Sequence, residues 1–428
     1  HPALLEELKE LGARELTFEM MLSDIQRDHY EPQPEDEELT IITSRRTTLE
    51  LALRNYVERL ENVTIRPGFF VRKLLTEPDE DGVVAVQGVA GEQDETPLEV
   101  KADLIVDASG KSGFLIQQLM EEGAGITEES ETAGILYFTR HYRLLPGQEE
   151  PDRTKTPPAS GDLGYIKFGV FPGDNGCFSV TISVPEVELE LRKAIMNPDV
   201  FHAITLQLPG IQPWTNAERS EPRGKVHGMG DLHSRWRDMV VEDRPATVNY
   251  FPLGDTLVRT TPLYGRGCTF AAIEAETLVH TFDRTENPVA RATLYFNNVH
   301  DALRPYYSDM VKQDKAAIRR ARNALNPNYR PSLRNRVIRS FAEDAIMPAL
   351  RGDTELLRDF MRAFHMIDKP SEFLRNPGNV AKIMGTWARG KKRNASYYPP
   401  KLGPDRQEMM ALLNLPATSD WERLRDAA

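Results

Sequence analysis

The chain has 428 residues, of which 40% are hydrophobic and 28% charged, and its formal net charge is -12. This composition is that of a globular protein of two or three domains, and the acidic balance argues against a general nucleic-acid binder. No apolar run reaches the ~18 residues of a membrane helix, so no transmembrane segment is predicted. The two cysteines, Cys177 and Cys268, cannot form a disulfide framework, which fits a reducing, cytoplasmic compartment. The nine histidines are too scattered to predict a metal site.

The first part of the chain predicts helices and strands in alternation. Apolar residues recurring on one face predict helices over 1–14 and 47–60. The second of these has a stripe made of Leu49, Leu53, Val57 and Leu60 and a wet side on which Glu50, Arg54 and Glu58 form i,i+4 pairs. An acidic loop is predicted over 31–38 and a turn over 78–82. Strands are predicted over 40–43, 63–65, 69–76, 83–89 and 102–107, the last a short apolar run of the buried parallel kind.

The pattern changes near Gly134. Alternating segments over 135–142, 164–170 and 177–184 predict a mostly antiparallel sheet, interrupted by a helical stretch over 186–208. A strand returns over 247–252. From Pro288 onward the chain is predicted to be mainly helical, with breaks at prolines and a basic surface loop over 389–400. The breaking prolines are Pro305, Pro327, Pro331, Pro348, Pro370 and Pro377.

The most specific signal lies between Phe251 and Leu278. A Gly-Asp pair closes a strand, a tight loop with a proline and two glycines follows, and a small-residue helix then begins near Cys268. A helix N-terminus offers free N–H donors and a partial positive charge, and glycine lets the backbone approach a ligand closely. The pattern predicts a flavin site in which the carboxylate accepts a hydrogen bond from a ribityl hydroxyl. Taken alone, the Gly-Asp pair also fits a plain strand–turn–helix. The predicted cofactor-binding residues here are Gly254, Asp255, Pro262, Gly265, Gly267 and Cys268.

This segment resembles the Gly-Asp motif of the para-hydroxybenzoate hydroxylase-like superfamily of FAD-dependent monooxygenases, which has reductase and halogenase relatives. Two further segments resemble the same superfamily. In the Ser44-to-Arg54 helix start, Arg46 matches the arginine that lies near the cofactor pyrophosphate, and a guanidinium suits a phosphate because its donors form a fixed fork. The segment Asp107-Ala-Ser109-Gly110 matches Asp-Ala-Thr-Gly, with serine where threonine is usual, on the adenosine side of the cofactor. Val71 matches the position whose backbone contacts adenine. Read without the resemblance, the first is an amphipathic helix with a basic N-terminus and the second a strand-to-helix turn.

One part of such a site does not appear in the sequence. A dinucleotide site needs Gly-x-Gly-x-x-Gly between its first strand and helix, with an acidic residue about 20 positions on, and neither is present. The resemblance covers about Thr40 to Arg304, from just after that unit. We therefore expect a strand with Gly-x-Gly-x-x-Gly to be encoded before His1, which reading the upstream codons tests.

The resemblance implies an α/β fold: a Rossmann-like FAD/NAD(P)-binding domain, an inserted, mostly antiparallel substrate-binding sheet and a helical C-terminal region. The expected division is 1–133 and 247–290 for FAD binding, 134–246 for substrate and 291–428 for the helices. It also implies FAD as cofactor, NADPH or NADH as reductant and a small apolar or aromatic organic substrate for a monooxygenase. The alternatives are an alkene reductase of the geranylgeranyl-reductase type and a non-catalytic protein that kept the fold and lost FAD.

The residues that perform catalysis are not predicted. Five side chains on the probable substrate sheet fit either a pocket or cross-strand pairs on a wet face: Tyr137, Arg140, Tyr142, Tyr165 and Lys167. The halogenase-type Trp-x-Trp-x-Ile-Pro motif is absent from the sequence, which argues against a halogenase.

Overall fold

The computed structural model describes residues 1–78, 83–152, 157–417 and 419–426. It divides into two compact units that each draw on separate stretches of chain. The first unit comprises His1–Val63, Gly134–Gly230 and Ala317–Ala428, and the second comprises Thr64–Ala133 and Asp231–Ala316. The four-part domain division expected from the sequence stays a prediction.

The α-helices of these described ranges, in chain order, are α1 Pro2–Glu10, α2 Asp24–Arg27, α3 Arg46–Glu58, α4 Phe114–Glu121, α5 Leu189–Ala194, α6 Pro198–Leu206, α7 Gln212–Thr215, α8 Gly267–Phe282, α9 Pro288–Leu325, α10 Leu333–Ser340, α11 Met347–Gly352, α12 Thr354–Phe364, α13 Glu372–Arg375, α14 Pro377–Arg393, α15 Arg406–Leu412 and α16 Ser419–Asp426. A π-helical turn, Phe341–Ile346, joins α10 to α11. Short 3-10 turns include Pro34–Leu39, Gly110–Ser112, Gly254–Thr256 and Pro262–Tyr264.

The strands of the same ranges are β1 Arg14–Leu16, β2 Ile41–Thr43, β3 Phe69–Pro78, β4 Val84–Gln93, β5 Thr96–Lys101, β6 Ile105–Asp107, β7 Thr127–Thr132, β8 Ile135–Leu144, β9 Ser160–Asp162, β10 Lys167–Pro172, β11 Cys177–Pro185, β12 Ser220–Met229, β13 His233–Asp238, β14 Val240–Val241, β15 Arg244–Pro245, β16 Thr247–Val248, β17 Tyr250–Pro252 and β18 Val258–Arg259.

The first unit is built on an antiparallel sheet with strand order β12-β8-β11-β10-β9. Strands β8 and β11 pair over nine positions, from Ile135 opposite Pro185 to Arg143 opposite Cys177. Alternate residues of β11 are buried on one face, as the period of two requires; they pack with Phe201 and Ile204 of α6 in one core cluster. The predicted antiparallel sheet and helical interruption are therefore confirmed.

Helix α3 of the first unit differs in one respect from its predicted form. Its buried residues are Thr48 and Ala52, whereas Leu53 is 43% exposed. The predicted apolar stripe holds at Leu49, which packs against α1, and is wrong at Leu53 and Leu60, because α1 covers α3 along a line through Ala52. The expected i,i+4 pairing is confirmed for Arg54 and Glu58, 2.7 Å apart.

The prolines of the C-terminal half do not all end helices. Pro305 lies inside the 38-residue helix α9, so the predicted break there is wrong. Its neighbours Tyr306 and Tyr307 are buried, whereas Pro305 itself and Asp301, whose carbonyl loses its hydrogen bond to the proline, are exposed. Pro348 likewise lies within α11. The predicted loop over 389–400 begins as the end of α14, although Gly390 breaks the helical backbone with φ +75°.

The second unit holds several smaller sheets. Strands β3, β4 and β5 form an antiparallel meander, and β16 pairs β4 in parallel. Strand β13 pairs β7 and β18 in antiparallel fashion, and β6 pairs β17 in parallel. The strand predicted over 63–65 is irregular chain, and most of the predicted turn over 78–82 lies outside the described residues. A mixed α/β fold is confirmed, whereas its Rossmann-like character stays a prediction.

Candidate functional site

Two parallel strand ends place the candidate loops of the second unit side by side. Pro252 in β17 lies opposite Asp107 in β6, and the Leu253 N–H donates to the Asp107 carbonyl at 2.9 Å. Because the strands are parallel, the loops that follow them leave from the same edge. The Gly110 N–H then donates to the Thr256 hydroxyl at 2.8 Å. The structure thus brings the Asp107–Gly110 segment to the Gly-Asp loop, as one site would require.

The carboxylate of Asp107 fixes these strand ends internally. It accepts hydrogen bonds from the Tyr250 hydroxyl at 2.5 Å and from the Ser109 N–H at 2.8 Å. Burial, followed by the nearby Asp107 charge, raises the pKa of Tyr250 far above its usual range, so Tyr250 remains a donor. Asp107 therefore shapes the loop through its own intramolecular bonds, and its predicted contact with a cofactor stays a prediction.

Asp255 keeps its carboxylate available. Its backbone carbonyl accepts a hydrogen bond from Arg235 at 2.8 Å, but its side chain hydrogen-bonds to no residue that the structure describes. Burial raises the pKa of the Asp255 carboxyl, and the charges of Arg259 and Arg235 oppose that rise. A half-buried carboxylate without a partner is suited to accept a hydroxyl donor.

Beneath the same loop lies Glu274 of α8, which is fully buried. Gly254 adopts a left-handed backbone, φ +59°, and its N–H donates to Glu274 Oε2. Burial raises the pKa of Glu274 to about 8, the bond from Gly254 opposes the rise, and the charge of Asp255 adds to it. Its other oxygen, Oε1, meets no hydrogen-bond partner in the described part of the chain. Glu274 therefore carries a proton near neutral pH.

The N-terminus of α8 is open. The helix begins at Gly267 after the N-cap Arg266, and no side chain among the described residues caps it. A Cβ added at Gly265 would meet no atom within 4 Å, and one at Gly267 would meet only Thr260 Oγ1, at 3.8 Å. Pro262 starts the short turn that leads into the helix, and Cys268 in the first helical turn is exposed. Such a terminus attracts an anionic or electron-rich group.

These features fit a flavin. Asp255 offers an unengaged carboxylate for a ribityl hydroxyl, the N-terminus of α8 offers backbone N–H donors, and Gly265 and Gly267 leave room for the approach of a ring.

No model of a protein family matches this chain, and no curated protein does. Solved structures do. PqsL, a probable FAD-dependent monooxygenase from Pseudomonas aeruginosa, has a TM-score of 0.52 at 14% identity over 74% of this chain and 83% of its own. The myxobacterial chondrochloren halogenase CndH, an FAD-dependent halogenase, has a TM-score of 0.51 at 16% identity over 76% of this chain and 71% of its own. CmlS, a flavin-dependent halogenase, has a TM-score of 0.50 at 15% identity over 82% of this chain and 60% of its own.

The chain shares the fold of FAD-dependent monooxygenases and halogenases. The resemblance inferred from the sequence motifs is confirmed at that level.

Two arginines that the sequence interpretation missed hold the Gly-Asp loop within this fold. Arg235 and Arg237 are two apart in β13 and so share a face. Arg237 is 5% exposed and donates to the Thr256 carbonyl and to Glu128, both at 2.7 Å. Arg235 spans the two loops, donating to the carbonyls of Asp255 and Lys111. Their only sequence signal was an Arg-x-Arg alternation, which equally describes a solvent face.

The two remaining predicted cofactor residues lie in different units. Val71 belongs to β3 of the second unit and pairs with Gly91, just before a register shift in the ladder. Arg46 belongs to the first unit, where its side chain is 88% exposed and lies 2.6 Å from Glu50. Its neighbour Arg45 instead binds the buried Asp174, through its backbone N–H at 2.8 Å and its guanidinium. Arg45 is thus structural, and the cofactor role of Arg46 stays a prediction.

The residues considered for a substrate pocket are largely packed into the sheet. Tyr142 is 1% exposed and stacks on Phe178, and the Tyr165 hydroxyl donates to the Pro404 carbonyl at 3.1 Å. Arg140 donates to the carbonyl of Pro198. These contacts favour structural roles, and no catalytic side chain emerges from them.

Proposed function

We propose that this protein is an FAD-dependent oxidoreductase, and specifically a monooxygenase acting on a small apolar or aromatic organic substrate. The observation that carries the proposal is the Gly-Asp loop, where Asp255 has an unengaged carboxylate next to the uncapped start of α8. The shared fold supports it. FAD, reduced by NADPH or NADH, would supply the redox chemistry.

The residues of this chain would bind and orient the cofactor. Asp255 would hold a ribityl hydroxyl, and the N–H groups at Gly267 and Cys268 would face the electron-rich edge of the ring. Arg235 and Arg237 keep the loop in place by hydrogen bonds to its carbonyls. Glu274 accepts a hydrogen bond from the Gly254 N–H of the same loop. The backbone of Val71 would contact adenine, and the role of Arg46 near the pyrophosphate stays a prediction from its motif. Both cysteines are free thiols, which supports a cytoplasmic location.

Flavin binding is the first test. The protein expressed from its complete reading frame should bind FAD, followed by quenching of flavin fluorescence. Asp255→Ala should weaken binding by about tenfold to a hundredfold, because a ribityl hydroxyl loses its acceptor and such a loss costs about 1–3 kcal/mol. The control is Asp103→Ala, which removes an exposed carboxylate of the same unit and should leave the affinity unchanged.

A wild-type protein that does not bind FAD would overturn the proposal and favour the non-catalytic alternative. If FAD binds but Asp255→Ala has the wild-type dissociation constant, the assignment of Asp255 is wrong.

The reaction is tested separately. With FAD and a nicotinamide, a monooxygenase consumes oxygen in step with hydroxylated product, whereas an alkene reductase oxidises the nicotinamide without consuming oxygen during turnover. Oxygen-electrode traces with apolar aromatic substrates under both nicotinamides separate the two.

A further inference from the structure

Helix α10 of the first unit exposes apolar residues that nothing in the structure covers. None of its eight residues is buried. Leu333 is 72% exposed, Val337 54% and Ile338 56%. At about 100° per residue these three side chains span an arc of about 140°, with Asn335, Arg336 and Arg339 outside it. Isolated apolar residues on a surface are common, but three on one short helix make a patch.

Side-chain contacts with α14 and the π-helical turn anchor α10 at its C-terminal end. The indole N–H of Trp387 donates to the Ser340 hydroxyl at 3.3 Å, and the Trp387 ring lies 5.6 Å from that of Phe341. At the other end the Ser332 hydroxyl accepts a hydrogen bond from the Asn335 N–H at 3.2 Å. An eight-residue helix without burial is only marginally stable by itself in water. Because it is capped at one end and anchored at the other, α10 is suited to bury its apolar side chains against the surface of a binding partner.

The charges of the sequence that leads into α10 and forms it are all positive, and the first carboxylate beyond it, Glu343, pairs with Arg339 at 2.8 Å. Between positions 317 and 340 the sequence has no aspartate or glutamate, in a chain whose net charge is -12. The arginines of that stretch are Arg319, Arg320, Arg322, Arg330, Arg334, Arg336 and Arg339. Exposed Lys391, at the end of α14, reaches Asp344 in the π-helical turn that continues α10, so further basic residues lie beside it. The patch therefore suits a partner that is both anionic and apolar.

We propose that α10 docks this protein on an anionic lipid bilayer. Leu333, Val337 and Ile338 would enter the boundary between headgroups and acyl chains, and Arg334 and Arg336 would bind lipid phosphates. Arg334, within the apolar arc, can extend its stem along the acyl boundary and keep its guanidinium at the headgroups. A purely polyanionic partner would match the arginines but leave the apolar residues in water. The helix would lie in the interface, since none of the described helices has the length and apolarity to cross a bilayer.

Sedimentation with vesicles tests the proposal. The wild-type protein should pellet with vesicles of phosphatidylcholine mixed with phosphatidylglycerol and stay in solution with phosphatidylcholine alone. Arg334→Gln with Arg336→Gln should weaken the partition coefficient about fivefold for each arginine. Leu333→Ser, Val337→Ser and Ile338→Ser together should abolish pelleting at any salt concentration. Leu412→Ser, which changes a 55% exposed leucine of α15 in the same unit, is the control and should pellet like the wild type.

Because α10 buries no residue, all these variants should keep the wild-type thermal unfolding midpoint. Wild-type protein that remains in solution with both vesicles would overturn the proposal, as would a triple serine variant that pellets normally. Analytical ultracentrifugation without lipid tests whether a second copy of the chain covers α10 instead. Dimerisation that the triple serine variant abolishes would identify a second copy of the chain, in place of a bilayer, as the partner of α10.

Discussion

The proton on Glu274 couples the Gly-Asp loop to pH. The Glu274 carboxyl is buried against the Gly254 N–H, and Asp255 lies nearby. The pKa of Glu274 is about 8, compared with an ordinary value of 4.5 for a glutamate side chain. The folded state therefore retains a proton between these two pH values that the unfolded state has released.

Replacing Glu274 with glutamine should remove this pH dependence. Since folding raises the pKa of Glu274, its contribution to stability is greatest below about pH 4.5 and declines through about pH 8, by about 1.4 kcal/mol per pH unit. Glu274→Gln keeps an oxygen for the Gly254 N–H and cannot ionise. We expect the variant to match the wild type in urea unfolding at about pH 4.5, to within about 1 kcal/mol, and to be more stable at pH 9. Equal stability of the two proteins at pH 9 would show that Glu274 does not hold its proton.

Sequence patterns identify single residues of this site only when a motif fixes their spacing. Asp255 was predictable because the Gly-Asp pair sits at the end of a strand. Glu274, Arg235 and Arg237 were not, because a charged residue on a helix or strand ordinarily faces water. Their burial depends on tertiary partners such as Glu128, more than 100 residues away in sequence from Arg237, and no local period encodes that.

At the scale of elements, the start of α8 is the part of the candidate site most open to test. Gly267→Val should prevent FAD binding while the protein still folds, since a Cβ there meets no atom of the chain closer than 3.8 Å. Gly267→Ala, if it still binds FAD, should lower the flavin midpoint potential, because the helix N-terminus stabilises the anionic reduced form preferentially. Fluorescence titration and potentiometry measure the two effects.

Gly125→Val is the matched control, since Gly125 is an exposed glycine of the second unit with no atom within 4 Å of an added Cβ. It should bind FAD normally. A Gly267→Val protein with the same affinity as this control would place the start of α8 away from the cofactor.

The elements that the sequence predicted well are those whose periodicity and packing agree. Strand β11 alternates apolar and polar residues from Phe178 to Val184, and β8 pairs with it over nine positions, so their predicted bounds differ from the observed ones by no more than two residues. The irregular segment over 63–65 has strand-like residues but no paired neighbour. Pro305 is a strong helix breaker, yet buried aromatic residues on the opposite face keep α9 intact. In both places the tertiary contacts of the segment, or their absence, outweigh its intrinsic propensity for helix or strand.

At the scale of the whole molecule, an ion pair joins distant parts of the first unit. Arg358 of α12 donates to Asp36 at 2.6 and 3.0 Å and to the Glu31 carbonyl at 2.9 Å, and its guanidinium lies over the Phe18 ring. Both charged side chains are about nine-tenths buried. Burial tends to raise the pKa of Asp36, but hydrogen bonds from Arg358, the Gln33 N–H and Tyr30 lower it overall. The stability that the pair supplies is therefore lost as the pH falls.

Asp36→Ala should destabilise the protein by about 3–5 kcal/mol at pH 7, because it leaves the buried guanidinium without its buried carboxylate partner. Glu355→Gln is the control: it removes the charge of another Arg358 partner, which is 57% exposed, and should cost less than about 1 kcal/mol. Urea unfolding monitored by tryptophan fluorescence gives both values. Equal costs for the two substitutions would show that Asp36 is not the essential partner.

The interleaving of the two units bears on how the protein is made. The chain passes between them at 63/64, 133/134, 230/231 and 316/317. A ribosome therefore finishes residues 64–316 of the second unit before it makes the last stretch of the first unit, 317–428. Arg358, the ion-pair partner of Asp36, is synthesised 322 residues after it. At 5–20 residues per second, this delay is about 16–64 s. During that time Phe18, Leu22 and Leu39 lack the cover of Leu357 and Met361 from α12. The nascent chain thus displays this apolar segment until α12 has been made, which makes the segment the natural place for a chaperone to bind.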